Sequence, residues 1–187
     1  RADFISVEKG ISRINVKLRS NEETEINGQG PAIAEADIKK LYEKLDTLSD
    51  GDILVLAGSI PDVMPGSMYM DIMRHLQNKD LKIVVDATKD LLVNVLQYHP
   101  FLIKPNNHEL GEIFGVKIES KAVKSVGAAE SMVARFISAY LENGIYEKAF
   151  QMGDCTGSAS AFSEELATKA EVIALLDSNK KLFIGEQ

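Results

Sequence analysis

At 187 residues, with 45% apolar and 26% charged residues, the chain has the size and composition of one ordinary globular domain. Its net charge of −7 argues against nucleic acid or an anionic membrane as the main partner, while leaving room for a local basic pocket. No apolar run approaches the roughly 18 residues of a membrane span, and the opening RADFISVEKG lacks the apolar stretch of a signal peptide. The one cysteine, Cys155, suits a reducing cytoplasm. The three histidines, His75, His99 and His108, share no ligand spacing, which argues against a zinc site.

The first thirty residues alternate apolar with polar and predict short strands at 4–7, 14–18 and 23–26, with polar turns at Gly10 and Asn21. Gly28-Gln29-Gly30-Pro31 breaks the pattern and marks a boundary between a small antiparallel layer, 1–30, and a core, 31–187. Such a layer has one apolar face and no core of its own, so it needs a partner to cover it.

From Ala34 the period turns helical. Ile38, Leu41, Leu45 and Leu48 form one stripe, which Ser49-Asp50-Gly51 ends. The run DILVLAG (52–58) is continuously apolar, as in a strand buried on both faces. A helix is predicted over 67–77, a strand over 82–86, a helix over 89–96 and a strand over 101–104. A further helix carries Leu110, Ile113 and Phe114 and stops at Gly115. This alternation specifies right-handed crossovers and a parallel sheet flanked by helices.

After Gly115 the rhythm changes to three helices without strands, over 130–142, 145–162 and 168–176, the last opening with the capping-box pattern Thr168-x-x-Glu171. Three parallel strands are few where sheets usually have about 4–6. The sheet therefore reads as incomplete.

Neither a Walker-type phosphate loop nor a Gly-x-Gly-x-x-Gly turn occurs. The chemistry-bearing residues instead cluster at strand ends, where open α/β sheets bind ligands. One strand runs into Ala57-Gly58-Ser59-Ile60-Pro61, another into Lys104-Pro105-Asn106-Asn107-His108-Glu109. Asn106 and Glu109 fit either a helix cap or ligands around a metal–phosphate complex, since Mg²⁺ takes oxygen donors. Asp86, closing its strand, reads as a helix cap, and Met68, Met70 and Met73 read as core filling. Small residues, Gly127-Ala128-Ala129, precede Glu130 at the start of an amphipathic helix, where backbone N–H groups can approach a phosphate.

The stretches TEINGQGP, LVLAGSIP, IKPNNHEL, SVGAAESMVARF and GSASAFSEELAT occur in the order in which they stand in PfkB-type sugar kinases, and from about Ala2 to Leu176 the chain resembles that family. INGQGP and IKPNNHEL make the resemblance specific, and the branch it points to acts on phosphorylated ketohexoses, fructose 1-phosphate or tagatose 6-phosphate. The resemblance implies a ribokinase-like three-layer α/β/α sandwich with a mostly parallel sheet and a small β lid. It also implies transfer of the ATP γ-phosphate to a sugar-phosphate hydroxyl with Mg²⁺, and in several relatives a homodimer clasped through the lid.

By the same resemblance, Arg13 and Asn15 fall at lid positions facing the sugar phosphate, and Ser59 on the sugar-site loop. Lys104, Asn106 and Glu109 fall in the region that organises ATP and Mg²⁺, with Glu109 acting through metal-bound water. Ser125 takes a nucleotide-contacting place. Gly127, Ala128 and Ala129 form the anion hole, and Glu130 stands at the catalytic base.

Two departures accompany the resemblance. The family pattern Gly-Ala-Gly-Asp is here Gly127-Ala128-Ala129-Glu130, which adds a methylene to the base and raises a non-catalytic binding relative as the alternative. In addition, the family's N-terminal sugar-binding segment and a strand-rich segment near 118–123 are absent from this sequence.

Overall fold

The computed structural model describes residues 2–19, 23–58, 60–61, 64–87, 89–105, 127–163 and 166–184. The chain divides into two compact units, Arg1–Lys117 and Ile118–Gln187.

In the first unit, β1 (Asn15–Arg19) and β2 (Glu23–Asn27) form an antiparallel pair with Val16 opposite Ile26 and Leu18 opposite Thr24. The Gly28 N–H donates to the Ile14 carbonyl at 2.9 Å and extends the pairing by one step. The strand expected at 4–7 does not form. Residues 2–7 run without regular structure, Phe4 is 87% exposed, and the Lys44 ammonium ties Asp3 to the first helix at 2.6 Å. The alternation there is real, but among the described residues no strand pairs with it.

Helix α1 (Glu35–Asp46) carries the predicted stripe and leads to β3 (Ile53–Ala57). There follow α2 (Met68–His75), β4 (Lys82–Asp86), α3 (Lys89–Val95) with a 3₁₀ turn over Leu96–Tyr98, and β5 (Leu102–Ile103). The three strands are parallel in the order β3-β4-β5. Helices α1, α2 and α3 share one core with the sheet, built from Leu45, Met68, Met73, Ile83, Val85, Leu92 and Val95 among others. Each such side chain, fully buried, contributes about 1.5–3 kcal/mol of transfer free energy.

Strand β4 is central, and Val84 and Val85 are both at 0% exposure. Its neighbour departs from expectation: Val55 of β3 is 46% exposed, so this strand is not covered on both faces. Strand β3 is an edge of the described sheet, and its continuous apolar run could not distinguish an edge from a centre.

The second unit contains α4 (Ala128–Asn143), α5 (Tyr146–Phe162) and α6 (Lys169–Ile184). Gly144 ends α4 in the left-handed conformation, as the Asn143-Gly144 stop signal requires. Gly153 and Gly157 let α5 lie close to α4: a Cβ on Gly157 would stand 3.0 Å from the Met132 Cβ and 3.4 Å from the Ala128 carbonyl oxygen. The seat of α4's first turn is fixed by that approach.

The predicted capping box is present. The Thr168 hydroxyl and N–H both donate to a Glu171 carboxylate oxygen at 2.7 Å, and the Glu171 N–H donates back to the Thr168 hydroxyl at 3.4 Å. These bonds from Thr168 hold the Glu171 carboxyl below its ordinary range. A depressed carboxylate stabilises the fold above its unfolded pKa, and that contribution disappears as pH falls through the folded value. Glu171→Gln should therefore melt below wild type at pH 7, and the two should converge in the acid range under about pH 4. Melting curves across pH check this.

Candidate active site

Three local clusters carry the candidate chemistry. The first is on the hairpin, where the Arg13 Nε donates to the Asn15 carboxamide oxygen at 2.9 Å. Residues 13 and 15 share one face, while Ile14, Val16, Leu18 and Ile26, between 43% and 62% exposed, make the other apolar and open.

The second cluster lies at the carboxyl ends of the parallel strands. The register places Val85 beside Ile103, so the next residue of each chain path, Asp86 and Lys104, comes side by side. Their side chains pair at 3.2 Å, at 24% and 18% exposure respectively. The strand-closing carboxylate, read from sequence as a helix cap, has an ion-pair partner in Lys104. Beside them the Gly58 N–H donates to the Asp86 carbonyl at 3.3 Å, and the buried Tyr69 hydroxyl donates to the Gly58 carbonyl at 3.1 Å. Burial first, and the Asp86 charge second, raise the Tyr69 phenol above its usual value, so it remains a neutral donor.

The third cluster is the first turn of α4. Gly127 is its N-cap at φ 88°, and the first intrahelical bond runs from the Ser131 N–H to the Gly127 carbonyl at 2.9 Å. The N–H groups of Ala128, Ala129 and Glu130 therefore precede that bond and stand at the positive end of the helix dipole. An anion is stabilised there. Glu130 is exposed in this turn.

The left-handed position is Gly127 alone; Ala129 is helical and its methyl carries no φ penalty. The helix begins at Ala128, two residues before the start expected from sequence, because both alanines are good helix formers. Against Gly127 lies Leu166, whose Cδ2 would be 2.7 Å from a Cβ added there.

Of the residues implied by the family pattern, Arg13 joins Asn15, Lys104 joins Asp86, and Gly127, Ala128, Ala129 and Glu130 share one turn. Ser59, Asn106, Glu109 and Ser125, the helix around Leu110 and the segment 118–123 lie outside the described residues. Sequence reasoning missed the Asp86–Lys104 pair and the approach of Leu166. The first was findable, since Asp86 ends its strand as Lys104 follows the next; the second is a contact between residues far apart in sequence.

Open α/β sheets bind ligands at their strand ends, and a glycine-led helix N-terminus can hold an anion. The sequence pattern of the pfkB family carbohydrate kinases matches residues 1–124. The 1-phosphofructokinase of Bacillus subtilis (strain 168) is 38% identical over 216 residues, covering 92% of this chain and 71% of that protein. That matched stretch is longer than the 187 residues of this chain. The D-tagatose-1-phosphate kinase of Bacillus licheniformis is 39% identical over 115 residues, 62% of this chain and 38% of that one. A solved structure assigned as a phosphofructokinase from Staphylococcus aureus superposes with a TM-score of 0.79 at 30% identity, covering 94% of this chain and 71% of that one. The chain belongs to the PfkB family of carbohydrate kinases, and its α/β fold is ribokinase-like.

Proposed function

We propose that the protein transfers the γ-phosphoryl group of ATP to the free primary hydroxyl of fructose 1-phosphate, giving fructose 1,6-bisphosphate. The observation that carries this reading is the 38% identity to a 1-phosphofructokinase across 92% of the chain. The competing acceptor is a tagatose phosphate. Tagatose 6-phosphate is the ester suggested by sequence, and the Bacillus licheniformis relative bears the name of a kinase for the 1-phosphate. A coupled assay offering fructose 1-phosphate and both tagatose esters tests the choice. Turnover fastest with fructose 1-phosphate supports it, and a preference for either tagatose ester refutes it.

In this reading Glu130 accepts the proton of the sugar hydroxyl, and the N–H groups of Ala128 to Glu130, set by Gly127, stabilise negative charge on the moving phosphoryl group. Lys104 neutralises nucleotide phosphate charge, and Arg13 with Asn15 holds the phosphate already on the sugar. Ser59 lines the sugar loop and Ser125 touches the nucleotide. Mg²⁺ suits the donor chemistry of a carboxylate and an amide oxygen, so Asn106 and, through water, Glu109 are the residues that would hold it. When bound it offsets charge on the phosphate oxygens. The lid is residues 1–30 and the kinase core 31–187, and the family segment that would fall near 118–123 is absent from this sequence. The reaction belongs in the cytoplasm.

The open apolar face of the hairpin, Ile14, Val16, Leu18 and Ile26, is covered in this reading by the same face of a second copy. Wild type should have dimer mass in solution, and Ile14→Asp, which would bury a charge in that interface, should be monomeric. Light scattering checks it, and a monomeric wild type refutes the clasp.

A further inference from the structure

Lysine's ammonium rides on a flexible four-carbon stem and holds a useful position only when something fixes it. Here Asp86 is the fixing group. Strands β4 and β5 run parallel, and the Lys104 N–H donates to the Val85 carbonyl at 3.1 Å, which places residue 104 against the end of β4. The Asp86 Oδ1 then meets the Lys104 Nζ at 3.2 Å. Both side chains are less than a quarter exposed, so water and salt screen this pair less than a surface one.

Asp86 is itself held. Its carbonyl accepts from the Gly58 N–H at 3.3 Å, and the Gly58 carbonyl accepts from the buried Tyr69 hydroxyl at 3.1 Å. The ends of β3, β4 and β5 are thereby linked in one polar chain: Tyr69 to Gly58, Gly58 to Asp86, Asp86 to Lys104.

We propose that Asp86 is a positioning residue that fixes the Lys104 ammonium at the sheet's carboxyl end for the nucleotide's phosphates. This rests on the nucleotide role of Lys104 given above. Two effects of the carboxylate oppose each other. It orients the lysine, and it also offsets part of the positive charge that a phosphate would meet. If orientation dominates, removing the carboxylate weakens ATP binding; if charge offset dominates, removal tightens it. Orientation wins because an unfixed lysine must lose rotamer freedom on every binding event, and an ångström of displacement at such a site costs on the order of 10²-fold.

The test is steady-state kinetics of the full chain with MgATP and fructose 1-phosphate, for wild type, Asp86→Asn, Asp86→Glu, Lys104→Met and the Asp86→Asn/Lys104→Met pair. Asp86→Asn should raise the KM for ATP by about 10-fold or more while leaving the KM for the sugar within about twofold. Asp86→Glu should recover part of the loss, and Asp86→Asn should add nothing once Lys104 is Met. A general structural defect would move both KM values and would persist in the Lys104→Met background, which overturns the proposal. So does an unchanged or lowered KM for ATP in an active Asp86→Asn. A wild type without ATP turnover overturns the kinase reading and this inference together, whereas an active wild type with an indifferent Asp86→Asn overturns the positioning role alone.

Discussion

Glu130→Gln should lower the rate of phosphoryl transfer by about 10²- to 10⁴-fold, the range of a lost general base. ATP binding should change little, because the amide keeps the size of the side chain and the backbone of the turn. Glu130 stands exposed in the first turn of α4, where a substrate can reach its carboxylate. Glu130→Asp shortens the reach by one methylene and restores the family's usual base; it should raise turnover, since a misplacement of about 1 Å can cost 10²-fold. Single-turnover kinetics separate this chemical step from product release. Equal rates for wild type and Glu130→Gln would remove Glu130 from the reaction and favour the non-catalytic binder.

The second large effect is at Gly127. Its φ of 88° is left-handed, and an L side chain there costs roughly 1–2 kcal/mol. A Cβ would also come within 2.7 Å of Leu166 Cδ2, but Leu166 is 59% exposed and can swing aside, so the backbone term decides. Gly127→Ala should melt several degrees lower and should displace the N–H groups of the turn, lowering kcat by about 10²-fold. Gly127→Asn, which tolerates this conformation better, should recover much of both losses. Leu166→Ala placed beside Gly127→Ala should recover little. If it recovers most, sterics rather than backbone strain is the cause.

The parallel core was legible because its signals are local. The stripe in α1, the buried run of β4 and the Thr168–Glu171 box each declare themselves within a few residues, and all three form. Residues 4–7 carry an equally good local alternation and form no strand, because a strand also needs a partner, and pairing is not written in one segment. The exposure of Val55 is the same lesson on the sheet's edge. At the site, the N-terminal turn of α4 was visible in its small residues. Which of them takes the left-handed conformation was not, since Gly127 and Ala129 differ only once the helix start at Ala128 is known. The Asp86–Lys104 pair was within reach of the sequence, since both residues stand at strand ends, but only once β4 and β5 are known to be parallel neighbours.

The central claim, phosphoryl transfer to a sugar phosphate, is tested most directly by following the phosphorus resonances of fructose 1-phosphate and MgATP incubated with the purified chain. ADP and a second sugar phosphate ester, on the primary hydroxyl, should appear together in equal amounts, and Glu130→Gln should suppress both. ATP that stays intact beside fructose 1-phosphate, or ADP formed with inorganic phosphate and no new ester, would contradict it.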